Sequence, residues 1–315
     1  MNSYPIELEA LDIRPYRAGN CGIEYVTSFD SGKAGPHLML AALTHGNELC
    51  GAIALDWLLR EGVRPRAGRL TLAFMNVAAY ARFDRANPSA SRCVDEDFNR
   101  VWNTETLDGA RDSVELRRAR ELRPLVAGVD ALLDIHSMQH ATPPLMICGM
   151  TQKARELARR LGTPAHLVCD AGHAAGRRMR DYGEFSDDSS PKNALLIECG
   201  QHWERASAAV AIDAMLRFLL HFGAIEREIA APHLVPLPAS QRVVEVAQAV
   251  TIATDEFRFA APYVGMEVIA REGTVIGHDG AQPVATPYDD CVLIMPTMRI
   301  RKGETAVRLG RIVGG

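Results

Sequence analysis

A layered α/β fold carrying a small C-terminal all-β domain is what this sequence predicts, on three observations. From about residue 37 to 222, short apolar runs alternate with segments of helical period. The three prolines of "APHLVPLPASQ" end that regime near residue 230, and helical periodicity does not return. The remainder of the chain is a series of Val/Ile/Thr-rich runs cut by Gly, Asp and Pro, the texture of short strands. The expected division is therefore 1–229 and 230–315.

Local pattern sets the elements. "HLMLAAL" (37–43) reads as a buried strand, and "NELCGAIALDWLLREG" as the next helix, with Leu49, Ile53 and Trp57 at helical spacing and Gly62 as a stop. "RLTLAFM" (69–75) alternates as a strand, and a long loop with Asn87-Pro88 runs to about 108. A charged helix is predicted over 112–126, then a strand, "DALLDIH" (130–136). The strands "PLMIC" (144–148) and "AHLVC" (165–169) flank a helix over 152–162. A Gly-rich polar stretch (170–193) leads to the strand "NALLIEC" (193–199) and an amphipathic helix over 204–223. Further strands are expected at 242–252, 267–269 and 291–294. This last region is similar in pattern to the flattened barrel of lipoyl and biotinyl carrier domains. No lysine occupies its "PYDDCV" turn, however, so carrier function is rejected.

Composition excludes several classes of function. The 35 basic against 39 acidic residues leave a net charge of −4, which suits neither nucleic acid nor an anionic membrane as main partner. The amino terminus lacks a basic start followed by an apolar core, and no apolar run approaches the roughly 18 residues needed to span a bilayer. The seven scattered cysteines include no CxxC, so reduced thiols in a cytoplasmic protein are expected. GxSxG, Walker and GxGxxG motifs are absent. The basic run "RRARELR" (117–123) has the charge pattern of a solvated helix face.

Chemistry-bearing residues gather at strand ends. In "LTHGNEL", His45 leaves the strand 37–43 and Glu48 enters the helix, so both could face one spot above the sheet. An imidazole and a carboxylate are common partners of a catalytic zinc; a histidine capping the helix is the plainer alternative. His136 ends "DALLDIH" in a matching place, with Asp134 on the same side of its strand to orient it. Glu198 ends the apolar run "NALLIEC", where a carboxylate is costly unless it is paired with an arginine or catalytic. "SRCVDEDFNRVW" concentrates Arg92, Asn99 and Arg100, suited to gripping carboxylate oxygens, or else forms a solvated turn with Asp95 and Asp97 pairing the arginines. His173, in the polar stretch, fits an exposed loop residue better than an extra ligand.

In this order and at these separations, "THGNE", "DEDFNR", "DIH" and "IECG" resemble the aspartoacylase/succinylglutamate desuccinylase family, a branch of the zinc carboxypeptidase-like superfamily. The resemblance runs over roughly 40 to 222, and the β appendage also fits it. It implies a zinc carboxypeptidase-like mixed sheet flanked by helices, one Zn2+ per chain on His45, Glu48 and His136, and Glu198 as the water-activating base. Arg92 is implied to polarise the scissile carbonyl, and Asn99 and Arg100 to hold a substrate carboxylate. Arg178 and Tyr182, from the loop before the base-bearing strand, are further candidates for substrate contact. Two departures stand out: Phe98 replaces the leucine of DLNR, and "GQHW" follows the glutamate where aspartoacylases have a different turn.

The expected activity is hydrolysis of the amide of a small carboxylate-bearing substrate, above all an N-acyl amino acid. A zinc carboxypeptidase acting on peptides and a non-catalytic zinc- or ligand-binding homologue are the alternatives. The resemblance leaves room for a homo-oligomer.

Overall fold

The structure is a computed structural model that describes residues 4–172 and 175–314. Its strands, in chain order, are β1 (Val26–Asp30), β2 (His37–Ala42), β3 (Arg69–Phe74), β4 (Ala131–Met138), β5 (Leu145–Ile147), β6 (His166–Cys169) and β7 (Asn193–Gln201). The C-terminal strands are β8 (Arg242–Thr251), β9 (Phe257–Phe259), β10 (Val268–Ile269), β11 (Val275–Asp279), β12 (Gln282–Ala285), β13 (Cys291–Ile294) and β14 (Thr305–Gly314).

One mixed sheet runs in the order β1-β3-β2-β4-β7-β5-β6-β8-β14-β13-β10, and β12-β11-β9 form a small second sheet. The α/β expectation holds, with three additions. The edge strand β1 pairs antiparallel with β3, although its "VTSFD" is only half apolar and offers little pattern to read. β5 also runs antiparallel to its neighbour β7, inside the sheet. β8 pairs in parallel with β6, so the C-terminal strands extend the same sheet.

Period-2 alternation sorts each central strand between two faces. Leu133 and Ile135 of β4 and Leu195, Ile197 and Cys199 of β7 join the larger core, with the helices Leu49–Arg60, Gln152–Leu161 and Arg205–His221. Leu132 and Ala194 face the opposite way, into a second core with the helix Val114–Gly128. Leu196 and Met138 pack on Val244, Val292 and Ile294 of the C-terminal strands. Residues 134, 136 and 198 share this second face, where helix and C-terminal strands leave room between them.

The basic helix departs from its reading as a solvated face. Arg118 donates to the backbone carbonyls of Met75, Phe74 and Glu24, and Arg120 to those of Leu107, Gly109 and Arg111. Five donors in a fixed fork let one guanidinium tie down several loop carbonyls, so these arginines work as clamps.

Candidate metal centre

β2 ends in a strained turn. Leu43, fully buried, has φ of 61°, a conformation that costs a branched residue on the order of 1–3 kcal/mol. Gly46 follows where a Cβ would meet Tyr80 N and Ser91 O at 2.4 and 2.5 Å, so only glycine lets these backbones approach. Glu48 sits at the N-cap of the helix Leu49–Arg60 rather than in its first turn, and makes no capping bond. Its carboxylate is turned to the histidines instead.

His45, Glu48 and His136 converge, with one potential ligand atom from each lying within 4.8 Å of the others, all three residues buried. Glu48 Oε1 is 2.7 Å from His45 Nδ1, and Oε2 is 2.9 Å from His136 Nδ1. The remaining ring nitrogens are also met by carboxylates: His136 Nε2 lies 2.8 Å from Asp134 Oδ2, and His45 Nε2 2.9 Å from Asp97 Oδ1. Thr44 Oγ1 donates to Asp134 Oδ1 at 2.8 Å. Two imidazoles, each backed by a carboxylate, and a third carboxylate between them fit a divalent transition metal, whose histidine ligands are usually oriented in this way.

Charge follows the same pattern. Burial raises the Glu48 carboxyl, but His45 and His136 outweigh it and hold it well below the usual range. Burial lowers His136, yet Asp134 and Glu48 hold it well above an ordinary imidazole. Asp97 is likewise kept low against burial, by Arg92 and then His45.

Register supplies the next member. His136 and Glu198 are direct partners across β4 and β7. Burial pushes Glu198 up to about 8, Glu48 adding to the rise while His136 and Arg92 oppose it. Its Oε2 is buried without a hydrogen-bond partner among the described residues. His136 and Glu198 both lie inside their strands rather than at the last residue, because β4 and β7 run on to Met138 and Gln201.

The 92–100 loop folds over this point. Arg92 lies 2.9 Å from Asp97 Oδ2 and 3.4 Å from Glu48 Oε1. Glu115 anchors the loop, accepting from Asn76 Nδ2 and from the backbone N–H groups of Val94, Asp95 and Glu96. Asp95 pairs no arginine of the loop; its carboxylate receives Val114 N. Asn99 Oδ1 accepts from Met179 N, and Arg100 donates to Asn99 O.

Arg178 reaches the same cleft, of about 340 Å³. It donates to Asp170 Oδ2 at 2.7 Å, which Arg308 of β14 approaches to 3.0 Å. Arg178 Nη1 is buried with no hydrogen-bond partner among the described residues. Burial lowers Arg100 and Arg308 to about 10, which still leaves both charged at neutral pH. Two buried guanidiniums on one aspartate, Arg178 and Arg308, with the half-buried Arg100 also lining the cleft, make a cationic end to it, ready for an anion. Tyr182 is not brought there: its hydroxyl accepts from Arg123, and its ring packs edge-on against Trp102. His173 lies outside the described residues.

Sequence reasoning missed Asp97 as the partner of His45, Glu115 as the loop anchor, and Asp170 and Arg308. Asp97 was visible in "DEDFNR", but an acid beside two arginines has a simpler reading. Arg308 sits in a strand pattern far from any motif.

The sequence profile of the succinylglutamate desuccinylase/aspartoacylase catalytic domain matches residues 34–225, and the chain belongs to that family of hydrolases. Among solved structures, succinylglutamate desuccinylase from Vibrio cholerae is similar at 17% identity, covering 92% of this chain and 86% of that one, with a TM-score of 0.68. The succinylglutamate desuccinylase from Chromobacterium violaceum has 16% identity, coverage of 93% and 90%, and a TM-score of 0.68. A product-bound structure of the ectoine utilisation protein EutE (DoeB) from Ruegeria pomeroyi has 17% identity, coverage of 90% and 88%, and a TM-score of 0.62. No curated protein matches the chain in sequence. No helix among the described residues is long and apolar enough to cross a membrane.

Proposed function

We propose that this chain is a zinc-dependent amidohydrolase that removes the acyl group from a small carboxylate-bearing substrate, an N-acyl amino acid above all. The observation that carries the reading is the pairing of His136 with Glu198 across adjacent strands. It sets an unpartnered carboxylate oxygen beside the three-donor cluster. His45, Glu48 and His136 would hold one zinc ion, which when bound supplies Lewis acidity to a water and to the scissile carbonyl.

Glu198 takes the proton of the attacking water and returns it to the leaving nitrogen. The low-dielectric setting that raises its pKa suits a group that must both accept and give a proton near neutral pH. Arg92, held in place by Asp97, offers N–H donors to the developing oxyanion. Asn99, Arg100 and Arg178 receive the substrate carboxylate, Arg178 Nη1 having an ion pair with Asp181 at 3.9 Å but no hydrogen bond among the described residues. In this reading residues 1–229 hold the chemistry, and residues 230–315 form a β-rich unit that walls the cleft. The seven free cysteines of the chain accord with a reducing, cytoplasmic compartment.

The test is a hydrolysis screen of the zinc-loaded protein with N-acetyl, N-succinyl and N-formyl amino acids beside N-blocked dipeptides. Release of the free amino acid from an acyl derivative is expected. Cleavage of peptides alone would turn the assignment to a carboxypeptidase, and equimolar zinc with no turnover at all would leave a binding protein.

A further inference from the structure

One buried polar group in the cleft takes no part in the chemistry above. His202 follows β7 in the "GQHW" turn and is 2% exposed. Its backbone N donates to Met138 O at 2.8 Å, and its Nδ1 lies 2.9 Å from Ser137 Oγ. The ring leans on Trp203, centroids 5.6 Å apart, and Trp203 Nε1 donates to Asn47 O. The turn is fixed at both ends. Gly200 has φ of 114°, and a Cβ there would strike Glu204 Oε1, which accepts from Gln201 N. Held in this way, the imidazole lines the cleft with Glu48 and Glu198. Its Nε2 has no hydrogen-bond partner among the described residues.

The tautomer follows from Ser137. This buried hydroxyl has His202 Nδ1 as its hydrogen-bond partner among the described residues, and a buried O–H needs an acceptor. Ser137 therefore donates to Nδ1, which leaves the ring proton on Nε2. Burial pushes the imidazole down to about 3, so the ring is neutral and Nε2–H is its one donor.

Its neighbours say which part of a substrate it meets. His202 is held by Ser137 and Met138 of β4, whereas Arg178 pairs with Asp170, just past the end of β6, and Asp170 in turn with Arg308 of β14. In the sheet order β4 and β6 flank β7, the strand that carries Glu198, on opposite sides. An amide laid across the metal centre with its carboxylate among the arginines around Asp170 sends its acyl chain toward His202. The scissile oxygen already has Arg92. We propose that His202 is a specificity residue for the acyl half of the substrate, its Nε2–H donating to an oxygen that the acyl chain carries beyond the scissile carbonyl. The proposal rests on the deacylase reading, and its substrate class is oxygen-bearing acyl chains over hydrocarbon ones.

The test compares N-succinyl and N-butanoyl derivatives of one amino acid, equal in chain length, with the wild type, His202→Phe and His202→Gln. Binding of free succinate and butanoate is measured alongside by calorimetry. The wild type should favour the succinyl compound. His202→Phe should lose roughly tenfold or more of that preference, the scale of a hydrogen bond to a charged acceptor, with butanoyl kcat/KM within about threefold. His202→Gln, which keeps an N–H, should retain part of it. An unchanged preference in His202→Phe, or none in the wild type, overturns the proposal. If the wild type turns over neither compound, the deacylase reading falls and binding decides. Succinate held over butanoate, and released by His202→Phe, upholds the role of His202; equal binding refutes it. Should His202→Phe fail to fold, Ser137→Ala frees the tautomer in an intact ring. A fall in succinate preference of about threefold then supports the assignment, and no change refutes it.

Discussion

Replacing Glu198 by glutamine should sharply slow turnover and yet stabilise the metal-free protein, and the gain should depend on pH. The unfolded carboxyl ionises near 4.5, whereas the buried one does so near 8. Between those values the folded state holds a proton that the unfolded state has released, so stability falls as pH rises. At ~1.4 kcal/mol per pH unit, the penalty grows from nothing near pH 4.5 to roughly 4–5 kcal/mol above pH 8. Glutamine has the shape of the acid without its charge. Oε2 has no hydrogen bond to lose among the described residues, so Glu198→Gln removes that penalty and little else. Urea unfolding of metal-free wild type and variant at about pH 4.5 and about pH 8.5 reads the difference directly. Equal stabilities are expected at the lower pH, and a variant ahead by several kcal/mol at the higher. A gap that does not change with pH would refute the burial argument. In the zinc-loaded protein the same change should cost 10²–10⁴ in kcat, and retained activity would remove Glu198 from the chemistry.

Asp97→Asn removes the carboxylate behind His45, so zinc affinity should fall by about 10–100-fold in competition with a chelator; unchanged affinity would reduce Asp97 to a partner of Arg92. Zinc binding to the metal-free protein should tighten as pH rises through the neutral range, about tenfold per unit for each proton displaced. The reason is that His136, held well above the ordinary imidazole value, must give up its proton to bind; calorimetry in buffers of different ionisation enthalpy counts those protons, and a flat profile contradicts the assignment. Glu115→Ala strands four donors of the Arg92 loop and should cost about 3 kcal/mol of stability. Thermal unfolding checks this, and a loss under about 0.5 kcal/mol would show the loop to be held by other contacts.

The part of this site that was legible in the sequence is the part set by apolar strand patterning. His45, His136 and Glu198 each follow an apolar run, and a polar residue in that position is conspicuous. The pairing of strands was not legible, because β5 and β6 are too short to announce their direction and β1 has too little apolar pattern. The "RRARELR" run misled for a physical reason: a guanidinium can bury its stem and still satisfy its charge on loop carbonyls that sequence cannot place beside it. Tyr182 misled in a similar way, since its loop gives no sign of which aromatic ring it will pack against. "GQHW" was visible as a departure from the family, but its weight came only when Ser137 and the orphaned nitrogen of His202 were seen together.

The parallel junction of β8 with β6 divides the walls of the cleft between two parts of the chain. Every residue proposed for bond breaking lies before position 199, whereas Arg308 of β14 and the β13–β14 loop around Arg299 reach the cleft from the far side of the same sheet. Met298 N is tied to Gln139 Oε1 and Arg299 to Ser89 O, so this wall is fastened directly to the loops of the centre. Exchanging side chains on β14 and its preceding loop would therefore reshape this wall of the cleft without touching His45, Glu48, His136 or Glu198.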